Sequence, residues 1–556
     1  MTKSALVLTI LGAFAGCSSP PGESRAGAKT PLYDNLGNYQ FTITTSSPDA
    51  QKYFNQGFAL SYAFNHGEAI RAFKEAIAID GNCAMCYWGV AFALGPNINA
   101  PITEDAAREA QAAIEQARAR AAGATPREQA YIAALAKRYA PDPKAERVPL
   151  DRAYADAMRE LAREYPDDLD AVTLFAQSLM DTSPWNYWQP DGTPRQFTNE
   201  VISSLESVLA RKPDHMGAIH LYIHAVEASP DPARALKYAD ALPALAPGAG
   251  HIVHMPAHIY LRTGRYADAS QANVNAVKAD EAYFAGDRAA GNMTYEVGYY
   301  PHNLHFFVAS ASMEGRRADA LRTADEVRDK MHADMMRDPA MGGMVQHMRL
   351  TPLFTRVRFS MWDEVLAELA PPDDLPYMTA MWHAARGLAQ ARVGRLADAR
   401  QELAIVSSFN DDESLKAMPI SSANMASSIV AIAGEVLAAE IAAASKRTRD
   451  ASQHFAKAVA LEDALIYMEP PDWPVPVRQL QGAAMLDLGQ FAAAEAAFRG
   501  DLRKFPDNGW SLSGLQTSLQ RQGKRKEADA IAARLTEQWQ KADVELDAAR
   551  MKSPAR

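Results

Sequence analysis

The chain has 556 residues, 48% hydrophobic and 22% charged, with 33 prolines, which describes an ordered chain and excludes a disordered or collagen-like one. Lys+Arg 57 against Asp+Glu 67 gives a net charge of -10, so no overall basic field draws it to nucleic acid. Three cysteines exclude a disulfide-framework protein, and 8% aromatics beside long Ala/Leu/Glu/Arg stretches point to helices throughout.

Lys3 precedes the apolar stretch Ala5–Ala15, which is too short to cross a bilayer as an ordinary helix and ends in Phe14-Ala15-Gly16-Cys17. Small residues before a cysteine resemble the lipobox of bacterial lipoproteins, in which that thiol carries the lipid. Phe14 stands where Leu is usual, so an ordinary secretory signal is the alternative. Ser18 after the cysteine, by the same resemblance, implies the outer membrane, facing the periplasm. Residues 1–17 are thus expected to be a signal peptide and 18–45 a linker. No later stretch reaches eighteen apolar residues, so the lipid on Cys17 is the one expected membrane contact.

From residue 46 to 550 a period near 34 organises the sequence. Gly57, Ala69, Phe73, Ala76 and Gly81 fall where the tetratricopeptide pattern wants a small residue, Ala, an aromatic, Ala and a helix breaker. The Ala of the second helix recurs as Ala235, Ala269, Ala320, Val365, Ala399, Ala451, Ala494 and Ala528. Turn phrases such as Arg262-Thr-Gly-Arg-Tyr266, Arg392-Val-Gly-Arg-Leu396 and Asp487-Leu-Gly-Gln-Phe491 precede it. The expected fold is all-α: a tetratricopeptide-like α-solenoid, a right-handed superhelix of helix pairs with loop insertions. Two stretches depart from the repeat. One is the aromatic loop Asp181–Pro194, read equally as a functional loop or as a plug on the array's edge; the other is residues 281–300, with Tyr283, Tyr295, Tyr299 and Tyr300.

Of 13 histidines, eight fall on the first helices of four successive pairs: His220, His224, His251, His254, His258, His302, His305 and His347. In the repeat register they share one helix face with Glu227, the face that lines the concave groove of such arrays, here 214–350. An i,i+4 pair of imidazoles can present two nitrogens to one ion, and neighbouring helices lie close enough to share it. His220, His224, His254 and His258 form the expected nest for a transition metal (zinc, copper or iron), with Glu227 as ligand or orienter. His251, His302, His305 and His347 extend the lining, and Tyr295, Tyr299 and Tyr300 stand beside it. Pro301 suits a helix start, and Pro256 must begin or kink the helix between His254 and His258. A metal-free groove gripping a protein or peptide partner is the first rival reading, and a metal-dependent, perhaps oxidative, enzyme the second. Leu221 stands where the Glu of a His-Glu-x-x-His protease would be, which disfavours hydrolysis by that route.

Cys83-Ala-Met-Cys86 is followed by Tyr87, so it is no haem-attachment motif; a short-loop disulfide at a helix start or two packed thiols remain. No Gly-rich phosphate loop and no basic patch with interleaved aromatics occurs.

The phrases Tyr62–Phe73, Cys83–Gly89, Pro184–Trp188, Ala218–Glu227, Pro247–Tyr260, Pro301–His305 and Asn508–Trp510 resemble a large, functionally undefined bacterial family of secreted or lipoprotein tetratricopeptide proteins. The resemblance spans nearly the whole mature chain. It implies the architecture and the importance of the histidine segment, and it supplies no catalytic assignment.

Overall fold

The structure is a computed structural model and describes residues 30–285, 292 and 295–551. The signal segment, Cys17 and part of the 281–300 insertion lie outside the described residues. Apart from isolated bridges and a two-stranded antiparallel ribbon, Leu546–Asp547 with Arg550–Met551, regular structure among them is helical. Successive helices pair along the chain as an α-solenoid, from Pro48–Tyr62 with His66–Ile79 to Gly509–Arg521 with Arg525–Gln538.

Several pairs are closed by a tight turn with one left-handed residue. Gly264, Gly394 and Gly489 take φ of 78°, 84° and 73° within the turn phrases read from the sequence, a conformation that costs glycine little. Phe64, Ser360 and Lys446 are also left-handed, and for a bulky ring this is an outlier worth attention.

The small residues of the repeat sit where two helices cross. Ala69, Ala235, Ala269, Ala320, Val365, Ala399, Ala451 and Ala494 are fully buried, and Ala528 is 1% exposed. Phe73 fills the gap between repeats: a Cβ added to Gly57 or Gly89 would come within 2.7 or 2.5 Å of its ring. Phe498 stands in the same relation to Gly482 and Gly514. Ala426–Ala444 is the one described helix long and apolar enough to cross a membrane. Its Ile429, Ile432, Val436 and Leu437 are fully buried, as in the core helix of an α-solenoid.

Segments distant in sequence meet at the middle of the array. Gly248 N–H donates to Asn35 O, and Asn99 Nδ2 to the Tyr299 hydroxyl. From the C-terminal side, Arg262 Nη1 donates to Lys504 O at 2.9 Å and Tyr266 Oη to Pro506 O at 2.8 Å. Trp510 Nε1 reaches Ser312 O at 2.8 Å. The central histidine helices are therefore covered by both ends of the chain. Cys83 and Cys86 are joined by a disulfide at the start of the helix Ala84–Leu94.

Candidate metal centre

Three first helices carry the site. Met216–Val226 holds His220 and His224, with Glu227 at its C-cap. Gly250–His254 and Pro256–Arg262 are one helix interrupted at Met255, because Pro256 has no N–H to continue the ladder. Tyr300–Met313 carries His302 and His305, with Pro301 in its first turn. The interrupted helix packs between the other two.

This arrangement sorts the imidazoles differently from the expected four-residue nest. His251 turns to the first helix, with its Nε2 3.1 Å from His220 Nε2, and His224 completes a group of three. His254 and His258 turn instead to His302, with His254 Nε2 2.8 Å from His258 Nε2 and 3.1 Å from His302 Nε2. In each group the facing nitrogens lie within 4.8 Å of one another. The interruption at Met255 separates His251 from the pair that follows it.

The outer nitrogens are fixed by acceptors. His220 Nδ1 faces Tyr62 O at 2.6 Å, a carbonyl that can only accept. His224 Nδ1 lies 2.8 Å from Glu227 Oε1, and His258 Nδ1 lies 2.5 Å from Glu227 Oε2 and 3.3 Å from Glu469 Oε2. His254 Nδ1 faces Asn273 Oδ1 at 2.7 Å, and Asn273 Nδ2 donates to Ala269 O, which fixes the amide orientation. Each of these four rings therefore carries its proton on Nδ1 and, when neutral, aims the Nε2 lone pair inward. His224 Nε2 is buried with no hydrogen-bond partner among the described residues, as is His251 Nδ1.

The surroundings are dry. His220, His224, His251, His254 and His258 are at most 2% exposed; His302 is half-buried and marks the more accessible side. Phe64 covers the first group, its ring 4.3 Å from that of His220 and 5.5 Å from that of His251. Its left-handed backbone, at the turn position where other pairs use glycine, aims the ring inward. Trp185 stands edge-on to His224 at 5.1 Å and donates to Asn99, so the aromatic loop is a wall of the chamber. Phe306 closes the second group, 4.9 Å from both His254 and His258.

Burial and the neighbouring imidazoles hold His220, His251, His254 and His302 well below the ordinary histidine pKa, and burial also lowers His224. They are uncharged at neutral pH, the form that binds metals. His258 differs. Burial opposes its charge, but Glu227 and Glu469 outweigh burial and hold it well above the ordinary value. Burial pushes Glu469 up, while His258 and His224 hold Glu227 down against burial.

The remaining expected residues divide. Glu227 is placed as an orienter, bonded to Nδ1 of both His224 and His258; it could also join those two atoms in a third group of metal-ligand type. Tyr299 packs on His251 at 4.8 Å, and the Tyr295 hydroxyl accepts from His251 N–H while donating to Asp280. Tyr300 does not join them: its hydroxyl donates to Glu281 and its ring lies under Lys330. Tyr300 is buried instead among Leu304, Val308 and Val327, on a face of its helix away from the imidazole groups. His305 and His347 stand apart from both groups, 6.4 Å from each other, with His347 Nδ1 on the Tyr377 hydroxyl. His305 faces a cavity of about 50 Å³ bordered by Leu261, Phe354, Arg358, Trp473 and Phe505. The expected concave groove is enclosed at His220, His224, His251, His254 and His258 and accessible only on the side of the half-buried His302 and His305.

Glu469, Asn273 and the Tyr62 carbonyl were not legible as parts of the site. Glu469 lies in the proline-rich stretch Glu469–Pro476, which was the available signal. Asn273 is one turn past the repeat's Ala269, inside an ordinary second helix.

No protein-family model matches the chain, and neither does any curated protein. Solved structures similar over most of its length include the following two. The human IFIT1 dimer with m7Gppp-AAAA is 12% identical over 89% of this chain and 91% of that one, with a TM-score of 0.30. Naa15/Naa10 bound to HypK-THB is 13% identical over 88% and 89%, with a TM-score of 0.20. The α-solenoid architecture follows from the chain's own helix pairs.

Proposed function

We propose that this protein binds a transition metal ion through His254, His258 and His302. One observation carries the reading. With Asn273 holding the Nδ1 proton, His254 Nε2 has a single lone pair, yet it faces ring nitrogens at 2.8 and 3.1 Å. One lone pair cannot accept from two donors, whereas one cation between three lone pairs satisfies all of them. Three nitrogens each ~2.1 Å from a tetrahedral ion are about 3.4 Å apart, so the His254 contacts at 2.8 and 3.1 Å would open by about 0.6 and about 0.3 Å. In the metal-free protein a second proton, on His258 Nε2, fills the gap to His254 Nε2, its charge balanced by Glu227 and Glu469 at Nδ1, and the ion would displace it.

Three protein ligands leave a coordination position for water or a small molecule, as in catalytic rather than closed structural sites. The dry chamber suits a small ligand only. Nitrogen donors fit zinc, copper or iron.

The test is elemental analysis of protein purified without an affinity tag, beside its His254→Gln variant. Stoichiometric zinc, copper or iron in the parent, with at least one ion per chain fewer in the variant at unchanged helical content, supports the reading; a metal-free parent that takes up none of the three overturns it. The place of action we propose is the cell envelope, by a lipid on Cys17. Cys17→Ser should then move the protein from the membrane pellet to the soluble fraction, and persistence in the pellet would refute the anchor.

A further inference from the structure

We infer that the chain holds two ions side by side, the second on His220, His224 and His251, and that Glu227 couples them. This rests on the metal-binding reading above and extends it to a second, separate set of ligands.

The second group has its own reason to take a cation. His220 and His224 carry their protons outward, on Tyr62 O and Glu227 Oε1, so both present lone pairs inward. His220 Nε2 meets His251 Nε2 at 3.1 Å, and His224 Nε2, fully buried, meets no hydrogen-bonding group among the described residues. A buried lone pair aimed at two other ring nitrogens is a cost in a metal-free core and a ligand in a loaded one. The groups adjoin without merging. The rings of His224 and His258 are 5.3 Å apart and those of His251 and His254 5.7 Å, yet each set of ligand atoms closes on itself.

Glu227 joins them, since one oxygen takes the proton of His224 and the other that of His258. A carboxylate accepts from both rings at once and holds both lone pairs inward. A glutamine cannot: its oxygen serves one ring, and its NH2 must donate to the other. That ring is forced into the opposite tautomer, with a proton on the Nε2 that should bind the ion.

The two sites are not equal. His251 Nδ1 has no hydrogen-bond partner among the described residues, so none of them fixes its tautomer, and the first group is more deeply enclosed. The group containing half-buried His302 should fill first and hold its ion more tightly.

The experiment titrates the full chain, stripped with chelator, with Zn(II) and counts ions per chain by native mass spectrometry, with circular dichroism as the folding control. Wild type is expected to bind two, in two steps. His224→Gln and His302→Gln should each bind one, and Glu227→Gln should keep one ion while its second binds at least tenfold more weakly. A wild-type count of one overturns the inference and leaves single-ion binding standing. A count of zero removes both. Should the variants fail to fold, the wild-type count alone decides, and a Glu227→Gln protein that binds both ions as wild type does refutes the coupling.

Discussion

Glu469 lies 3.3 Å from Nδ1 of His258, although the two residues belong to opposite halves of the chain. Glu469 is buried and its carboxyl makes no hydrogen bond within the described residues, so it relates only by charge to Arg262 and to a histidine that already has Glu227. A dry carboxylate costs stability, and a histidine shared with Glu227 repays only part of that cost in the metal-free protein. Glu469→Gln should therefore leave the thermal midpoint of the metal-free protein unchanged or raised. It should also weaken metal affinity about 10- to 100-fold, the usual effect of losing an outer partner of a ligand histidine. Paired calorimetry with and without metal checks both signs; lower stability with unchanged affinity would make Glu469 purely structural.

Trp185 closes the chamber beside His224. Trp185→Ala removes that wall without touching a ligand, so extraction of the ion by a chelator should speed up by about tenfold or more while the number of ions stays the same. Trp185 donates its one N–H to Asn99 and not to a ligand imidazole, so the change tests enclosure, not coordination. Unchanged extraction rates would place the entry route elsewhere, on the His302 side.

His347 gives a pH dependence free of the two ligand groups. Burial, aided by His305, lowers its pKa to about 3, against an ordinary value near 6.5. Between those values the unfolded chain binds a proton that the folded chain does not, so acidification favours unfolding. The loss is at most about 1.4 kcal/mol per pH unit from this group, begins below about pH 6.5 and ends near pH 3. Denaturant titrations of the metal-free protein should show a shallower acid decline for His347→Gln than for wild type; parallel curves would contradict the burial account.

Gly89 tests the repeat packing itself. Its missing Cβ would lie 2.5 Å from the fully buried Phe73 ring, which has no room to retreat. Gly89→Ala should cost about 1–3 kcal/mol in chemical denaturation. A neutral result would mean that the first two pairs do not cross as described.

The architecture was open to reading because each repeat states its own rule. Ala269 and Ala399 are buried where the period put them, and Gly264 and Gly394 take the left-handed turns that their phrases implied. The histidine face was legible for the same reason, since residues three or four apart must share a side. How the eight imidazoles divide was not. The grouping of His251 with His220, and of His302 with His254, depends on where Pro256 interrupts a helix and how three helices stack, neither of which follows from periodicity. Tyr300 was misplaced because adjacency to Tyr299 says nothing about side once a helix begins. Glu469 and the Tyr62 carbonyl come from segments remote in sequence, and no local pattern links them to a histidine. Phe64 is the subtler case: it replaces the glycine expected at a turn, and only the folded array shows its ring over His220.

The central claim is that imidazole nitrogens, three to an ion, form the inner ligand sphere. X-ray absorption at the metal edge of untagged, natively loaded protein reads that sphere directly. The account predicts about three imidazole nitrogens near 2.0–2.1 Å, with the outer-ring scattering that marks histidine, and one or two lighter ligands completing the shell. A shell of oxygen alone, or of sulfur, would contradict it.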